Sequence, residues 1–350
     1  MRPEPKIDDV DVKILQTLLK EPRTSFAKIA KECELSIPSI HNRFTLMNKS
    51  GIINGSIMQI DPKSLGYYCV ALINIEADPR KKEVILDFLK QINIAIYGPH
   101  LSGRSNILGF LVARNTDELA QTIKEIKKNI RVRSVFTEQW VNTKDTDHPE
   151  NLIIKKIDDP SSLTKMDTEK KNALQSTKNP NNQEKNRNKN DVAHQLDNID
   201  LSLIKIVIND ARVSFRRIAE KLGISTNNVI KRYKKLRNNV LTFSSITLDL
   251  TKLGYIGSGV MMIKVRNEYD TKEILDQILL IPNVIVSIRL FGNYDILVIT
   301  PFRNFEDLEN MNKKIASILG VYEIQLMIDK PYVEWPLNTI SNLIIKKIEQ

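Results

Sequence analysis

The chain has 350 residues, with 52 Lys and Arg against 42 Asp and Glu, a formal net charge of +10 and 41% hydrophobic residues. That composition can bury a core and excludes a collagen-like, coiled-coil or wholly disordered chain, and the length predicts two to four domains at roughly 100–200 residues each. No apolar run approaches the ~18 residues of a membrane helix, and the N-terminus lacks the apolar block of a signal peptide, so a cytoplasmic protein with no membrane partner is expected. Cys33 and Cys69 make neither a disulfide framework nor a zinc site. The basic excess would attract a polyanion such as nucleic acid.

The first elements in the chain are three short helical patterns. Val10, Ile14 and Leu18 lie at i, i+4, i+8, and the stripe breaks at Glu21-Pro22, because proline disfavours helix in the residue before it. Ser25 then caps a second helix with Phe26, Ile29, Ala30 and Cys33 on its buried face, and Ser36 caps a third that buries Ile40, Phe44 and Met47. Helix, helix, tight turn, helix is a helix-turn-helix, and Gly51 to Ile60 read as a β wing. From Tyr67 the period changes to two. Strands are predicted at Tyr67–Ile75, Ile94–Ser102, Asn106–Ala113 and Val132–Val141, with helices at Lys81–Ile92 and Thr116–Lys128. The order βαββαβ is the ferredoxin-like split βαβ sandwich. Its helix-free sheet face would be bare, which predicts that two such units pack sheet to sheet.

The chain supplies the second unit itself. Asp11 to Ala30 (DVKILQTLLKEPRTSFAKIA) returns 189 residues later as Asp200 to Ala219 (DLSLIKIVINDARVSFRRIA), and Asp61-x-x-x-Leu65-Gly66-Tyr67 returns as Asp249-x-x-x-Leu253-Gly254-Tyr255. Asn-Leu-Ile-Ile-Lys-Lys-Ile occurs at Asn151–Ile157 and at Asn342–Ile348, and a short amphipathic strand or helix that docks on each sandwich is expected there. A repeat this long is two copies of a whole unit, unlike the ~20–50-residue period of a solenoid. Between the copies, Asn172 to Asn190 hold seven Asn and only two aliphatic residues, Ala173 and Leu174, too few to offset the entropy of ordering. The fold class expected is therefore α+β, two copies of a winged helix-turn-helix followed by a βαββαβ ferredoxin-like sandwich. The expected limits are 6–60 and 64–142 for the first pair of domains, 143–196 for a flexible linker, 197–248 and 252–335 for the second pair, and 336–350 for a C-terminal tail.

This arrangement resembles the Lrp/AsnC (feast/famine) family of transcriptional regulators over roughly residues 6–142 and 197–335. The residues that carry the resemblance are Asp200-x-x-x-Ile204, Ala211-Arg212-Val213-Ser214, Gly223-Ile224-Ser225, Arg232-x-x-x-Leu236 and Gly292-Asn293-Tyr294-Asp295. The last matches the family's Gly-x-Tyr-Asp turn, and the resemblance implies an amino-acid effector at Gly292, Asn293, Tyr294 and Asp295 and, in the first copy, at Gly103 and Asn106. That copy reads Gly103-Arg104-Ser105-Asn106 and lacks both the aromatic and the carboxylate, the natural partner for an effector's ammonium group. The glycine also suits the positive φ of a tight hairpin.

Double-stranded DNA is the partner expected at the helix-turn-helix units, and a homo-oligomer or an intrachain pseudo-dimer is the expected assembly. Residues 197–248 carry 10 basic and 4 acidic residues against 9 and 7 in residues 1–58, so the second unit should supply most of the affinity. In a recognition helix the N-terminal residues meet base edges and their neighbours meet phosphates. By position, Ser39, Asn42, Asn227, Asn228 and Lys231 are candidates for base contact. Arg23, Arg43, Arg212, Arg216, Arg217, Arg232 and Lys235 are candidates for phosphate contact, and Lys234 and Arg237 belong to the same basic face.

No catalytic residue, metal or cofactor is expected. The four histidines are scattered, and Gly254-Tyr255-Ile256-Gly257-Ser258-Gly259 has the wrong spacing for a dinucleotide loop and sits in a strand, where small residues permit close packing. The competing readings are an effector-independent architectural DNA protein and an enzyme similar to the sirohaem decarboxylases, which resemble the same two-domain unit. His100 and Arg104 are the candidates for the enzyme's tetrapyrrole contacts.

Overall fold

A computed structural model of the chain describes residues 7–92, 94–98, 107–144, 146–155 and 196–349. In the first copy α1 (Asp9–Lys20), α2 (Phe26–Cys33) and α3 (Ile37–Lys49) form the helix-turn-helix. Asp8 and Asp11 close a reciprocal capping box at the start of α1, and the Ser25 and Ser36 side chains accept the third backbone N–H of α2 and α3, satisfying donors that a helix start leaves unpaired. Next come β1 (Ile53–Ile60), β2 (Cys69–Ala77), α4 (Lys82–Gln91), β3 (Ala95–Gly98), β4 (Ile107–Ala113), α5 (Thr116–Lys127) and β5 (Val132–Trp140).

The second copy repeats the order with α6 (Asn198–Asn209), α7 (Phe215–Leu222), α8 (Thr226–Asn239), β6 (Leu241–Leu248), β7 (Gly257–Val265), α9 (Thr271–Ile278), β8 (Val286–Phe291), β9 (Ile296–Phe302), α10 (Phe305–Ala316) and β10 (Val321–Asp329). A final helix, α11, spans Thr339–Glu349. It takes up most of the C-terminal tail, 336–350, and contains the second Asn-Leu-Ile-Ile-Lys-Lys-Ile segment.

The strand order β10-β7-β9-β8-β5-β2-β4-β3 contains the ferredoxin-like order twice, and the two halves meet where Gln139 and Trp140 of β5 pair with Phe291 and Leu290 of β8. Strand alternation then assigns each face. Ala71, Ile73 and Ile75 of β2 pack beneath α4 and α5, and Met261 and Ile263 of β7 pack beneath α9 and α10. Leu72 and Phe110 on the other face of the first sheet share one core with Met262, Leu297 and Ile299 of the second. The bare faces thus cover one another within a single chain, and the edge pairing of β5 with β8 closes one side of the sandwich.

The strand read as a wing makes its pairing across the two copies. β1 pairs antiparallel with β6, because a two-stranded ladder satisfies backbone groups that an isolated strand would expose. The helices cross over this ladder. Ile14, Leu15 and Leu18 of α1 pack with Ile246 and Leu248 of β6, while Leu203, Ile204 and Val207 of α6 pack with Met58 and Ile60 of β1. Each helix-turn-helix therefore rests on the other copy's strand.

The repeated Asn-Leu-Ile-Ile segments cross over as well. After β5, Leu152 and Ile154 are buried in the core shared with α1, and the Ile153 carbonyl accepts hydrogen bonds from Tyr255 Oη at 2.7 Å and Arg303 Nη2 at 2.7 Å. In α11, Leu343, Ile344 and Ile345 pack with Tyr67, Val70 and Val112 of the first copy, and Lys347 Nζ reaches the Val112 carbonyl at 2.7 Å and Glu118 at 2.9 Å. Each copy sends its tail onto the other's sandwich, so residues 146–155 belong to the folded body and not to the linker. The remaining linker residues, 156–195, fall outside those described.

Candidate nucleic-acid interface

The third helix of each copy is pinned by an arginine. Arg43 Nη1 donates to Asp8 at 2.7 Å and to Asp11 at 2.9 Å, and Arg232 Nη1 donates to Asp197 and Asp200 at 2.7 Å each. Asp8 and Asp197 are the N-caps of α1 and α6, so each arginine fastens the recognition helix to the start of the first helix. Asp197 is held below the ordinary carboxylate range by backbone hydrogen bonding from Asp200 and then by Arg232. Asp200 is 1% exposed, and a carboxylate so buried needs its cation. Arg43 and Arg232 were expected on phosphates; their guanidinium groups are already engaged with these carboxylates.

Arg23 and Arg212 depart further from that expectation. Arg23 Nη2 crosses to the Val213 carbonyl at 2.9 Å, and its guanidinium lies 4.4 Å from the Phe215 ring centroid and 4.9 Å from that of Tyr233. Arg212 mirrors it, donating to the Pro22 carbonyl and lying over Phe26 at 5.3 Å and Phe44 at 4.9 Å. These arginines are reciprocal clasps between the two helix-turn-helix units, and both are partly buried. Arg237 also turns inward, to the Thr242 carbonyl at 3.0 Å and, across the copies, to Glu21 at 3.7 Å.

The outward-facing set is smaller. Asn227, Asn228, Lys231, Lys234 and Lys235 are exposed on α8, and Arg216 and Arg217 on α7. Arg216 pairs with Glu220 at 3.0 Å, Lys235 lies 4.0 Å from Asp200, and Asn228 Oδ1 accepts from Arg232 Nε at 3.0 Å. Among the described residues no ion-pair partner faces Arg217, Lys231 or Lys234. In the first copy Asn42 is exposed and Ser39 partly so, with Leu46 exposed where the second copy has Lys235.

The Gly292–Asp295 turn is occupied from within. Glu138 of β5, fully buried, accepts the Asn293 backbone N–H at 2.7 Å, while its other oxygen has no partner. Burial pushes its carboxyl above the ordinary value. A Cβ on Gly292 would stand 1.8 Å from Glu138 Oε2, and Gly292 does not adopt a positive φ. The glycine thus serves the approach of Glu138, not a left-handed turn. Asp295 accepts the Val265 N–H at 2.8 Å and Tyr294 Oη bonds Gln325. A cavity of about 190 Å³ lies alongside, lined by Glu138, Asn74, Lys264, Tyr294 and Gln325 among others.

Sequence reasoning missed Glu138. The available signal was the repeat, since the strand register makes Glu138, opposite Leu72, the counterpart of Met327, opposite Val260. Gly103 and Asn106, with His100 and Arg104, lie outside the described residues. Gly257 and Gly259 sit in β7, where an added Cβ would stand 2.4 Å from the Phe302 ring and 2.6 Å from Leu308, a close-packing role.

Comparison with known proteins agrees with this geometry. The AsnC-type helix-turn-helix domain profile matches residues 196–237 and the winged helix-turn-helix DNA-binding profile matches residues 7–54. An uncharacterized HTH-type transcriptional regulator of Pyrococcus furiosus is 32% identical over 128 residues, 36% of this chain and 86% of that protein. The HTH-type transcriptional regulator LrpA of Pyrococcus horikoshii is 32% identical over 117 residues, 33% of this chain and 83% of that protein. Over the whole length the fold is similar to the crystal structure of the siroheme decarboxylase NirDL, with a TM-score of 0.61 and 15% identity, covering 98% of this chain and 97% of that one. At that identity the likeness is one of fold alone. The helix-turn-helix units, the sandwiches that follow them and the identity to these regulators together show that the chain belongs to the Lrp/AsnC family of helix-turn-helix transcriptional regulators, with two family units in one polypeptide.

Proposed function

We propose that the protein is a sequence-specific, double-stranded-DNA-binding transcriptional regulator, not an enzyme, and that its second helix-turn-helix supplies most of the DNA affinity. The observation that supports this most is the exposure of Asn227, Asn228 and Lys231 on the N-terminal half of α8, with Lys234 and Arg217 exposed beside them. Asn pairs bidentately with adenine and Lys with guanine in the major groove, and free cations on neighbouring turns reach phosphates. The first unit, with Asn42 and Ser39, refines register. Titration of labelled duplex DNA against salt tests the reading: log affinity should fall linearly with log salt, by about 0.9 for each phosphate engaged. Salt-insensitive binding overturns it.

The effector reading extends to the cavity beside Gly292–Asp295. A small amino acid there would pair its ammonium group with the unpartnered oxygen of Glu138 and its carboxylate with Lys264, which is bound to Glu323 at 2.9 Å without it. Thermal unfolding in the presence of each amino acid tests this, because a ligand at 100 times its Kd stabilises by about 2.7 kcal/mol. No shift with any of them, in wild type, refutes it.

A further inference from the structure

A second cavity, of about 70 Å³, lies where the β1–β6 ladder meets the helix-free faces of the two sheets. Its walls include Trp140, Trp335, Phe110, Gln59, Asp147 and Asn338. Four observations bear on what it holds. The Asp147 carboxyl accepts from Gln59 Nε2 at 3.0 Å and Thr146 Oγ1 at 3.2 Å, and among the described residues no Lys or Arg pairs with it. Asn338 is 9% exposed; its amide nitrogen is used on the Met58 and Ile208 carbonyls, while its Oδ1 has no partner. The indole Nε1 atoms of Trp140 and Trp335 are buried and unpartnered. The lining contains one acid and no basic side chain.

We propose that this cavity is a binding site for a small apolar cation, a primary alkylammonium of roughly four or five heavy atoms, held by Asp147 and Asn338 Oδ1 against the two indole rings. A water needs ~10–15 Å³ of such space, so the cavity has room for about five groups of that size, which sets the size. Both oxygens are acceptors, so they match an ammonium's donors. The rings suit a cation, since an indole face attracts positive charge more strongly than other aromatic faces. A carboxylate ligand would meet Asp147 with no cation to offset either charge. Burial pushes the Asp147 carboxyl above its ordinary value.

The chain's only two tryptophans both line the cavity, so their fluorescence reports on it directly. The test uses the full-length protein with n-butylammonium chloride, 1-butanol and sodium butyrate at one pH and ionic strength. Saturable change in tryptophan emission with butylammonium is expected, with at least tenfold weaker response to butanol and none to butyrate. Asp147→Asn should weaken the ammonium response at least tenfold while far-UV circular dichroism stays unchanged. Equal responses to the ammonium and the alcohol, any saturable response to butyrate, or no saturable response to the ammonium would each overturn the proposal. The solute series on wild-type protein decides the matter even if the Asp147 variant does not fold.

Discussion

Replacing Arg23 with Ala separates two roles that the sequence leaves equal. As a phosphate contact, Arg23 would be dispensable for folding, and its loss would weaken DNA binding. In the structure its guanidinium donates to the Val213 carbonyl at 2.9 Å and stacks on Phe215 and Tyr233. A hydrogen bond to a charged group contributes ~1.5–3 kcal/mol, and a partly desolvated cation–π contact contributes ~0.5–2 kcal/mol. The expected cost of Arg23→Ala is therefore about 2–5 kcal/mol, measured by urea unfolding at neutral pH. Arg212→Ala should cost a similar amount through Pro22, Phe26 and Phe44. Arg23→Lys should rescue only part of the loss, because an ammonium cannot reproduce a planar group laid on two rings. Wild-type stability in Arg23→Ala together with a salt slope of DNA binding reduced by about 1 would refute the clasp and restore the phosphate reading.

Other outcomes follow from the same contacts. Burial holds Glu138 above the ordinary carboxylate value, so the folded chain takes up its proton more readily than the unfolded one. Stability should rise as pH falls from above that raised value towards ~4.3, and Glu138→Gln should remove this rise from a pH series of unfolding curves. Glu34 holds a left-handed φ of 56° at the turn where the second copy has Gly223, so Glu34→Gly should stabilise the first helix-turn-helix by about 0.5–1 kcal/mol in chemical denaturation. Ile344 of α11 is fully buried, so Ile344→Ala should cost about 2–5 kcal/mol by the same measurement. Mixing the protein with a tetrapyrrole should leave the pigment's absorption spectrum unchanged; a saturable spectral shift would favour the enzyme reading.

The duplication made much of this molecule legible. The serine caps, the apolar stripes of α1 and α6 and the change of period from 3.6 to 2 are local features, and local physics fixes them whatever lies far away. Partner choice is not local. Ile53–Ile60 alternates as any strand does, and nothing within it says that its partner is Leu241–Leu248 of the other copy. The arginines show the same limit. Lys231 and Arg232 are adjacent and both basic, yet Arg232 turns to Asp197 and Asp200 while Lys231 faces solvent, a division set by the approach of α6. Glu138 reads as one polar residue in a half-polar strand until β8 and the following turn close over it. The repeated Asn-Leu-Ile-Ile segment is legible as a docking strand or helix, but not the sandwich it docks on, because that surface belongs to the other copy.

The most direct test of the account is the salt dependence of duplex-DNA affinity for wild type and for a variant in which Arg217, Lys231 and Lys234 are all replaced by Ala, with urea unfolding as the control for folding. These three exposed cations have no ion-pair partner among the described residues, so the variant should keep its stability and lose most of its affinity, with a log–log salt slope smaller in magnitude by about 2 from the two phosphate contacts, Arg217 and Lys234. An unchanged slope and affinity in the folded variant would contradict the assignment of the second helix-turn-helix as the principal DNA-binding face.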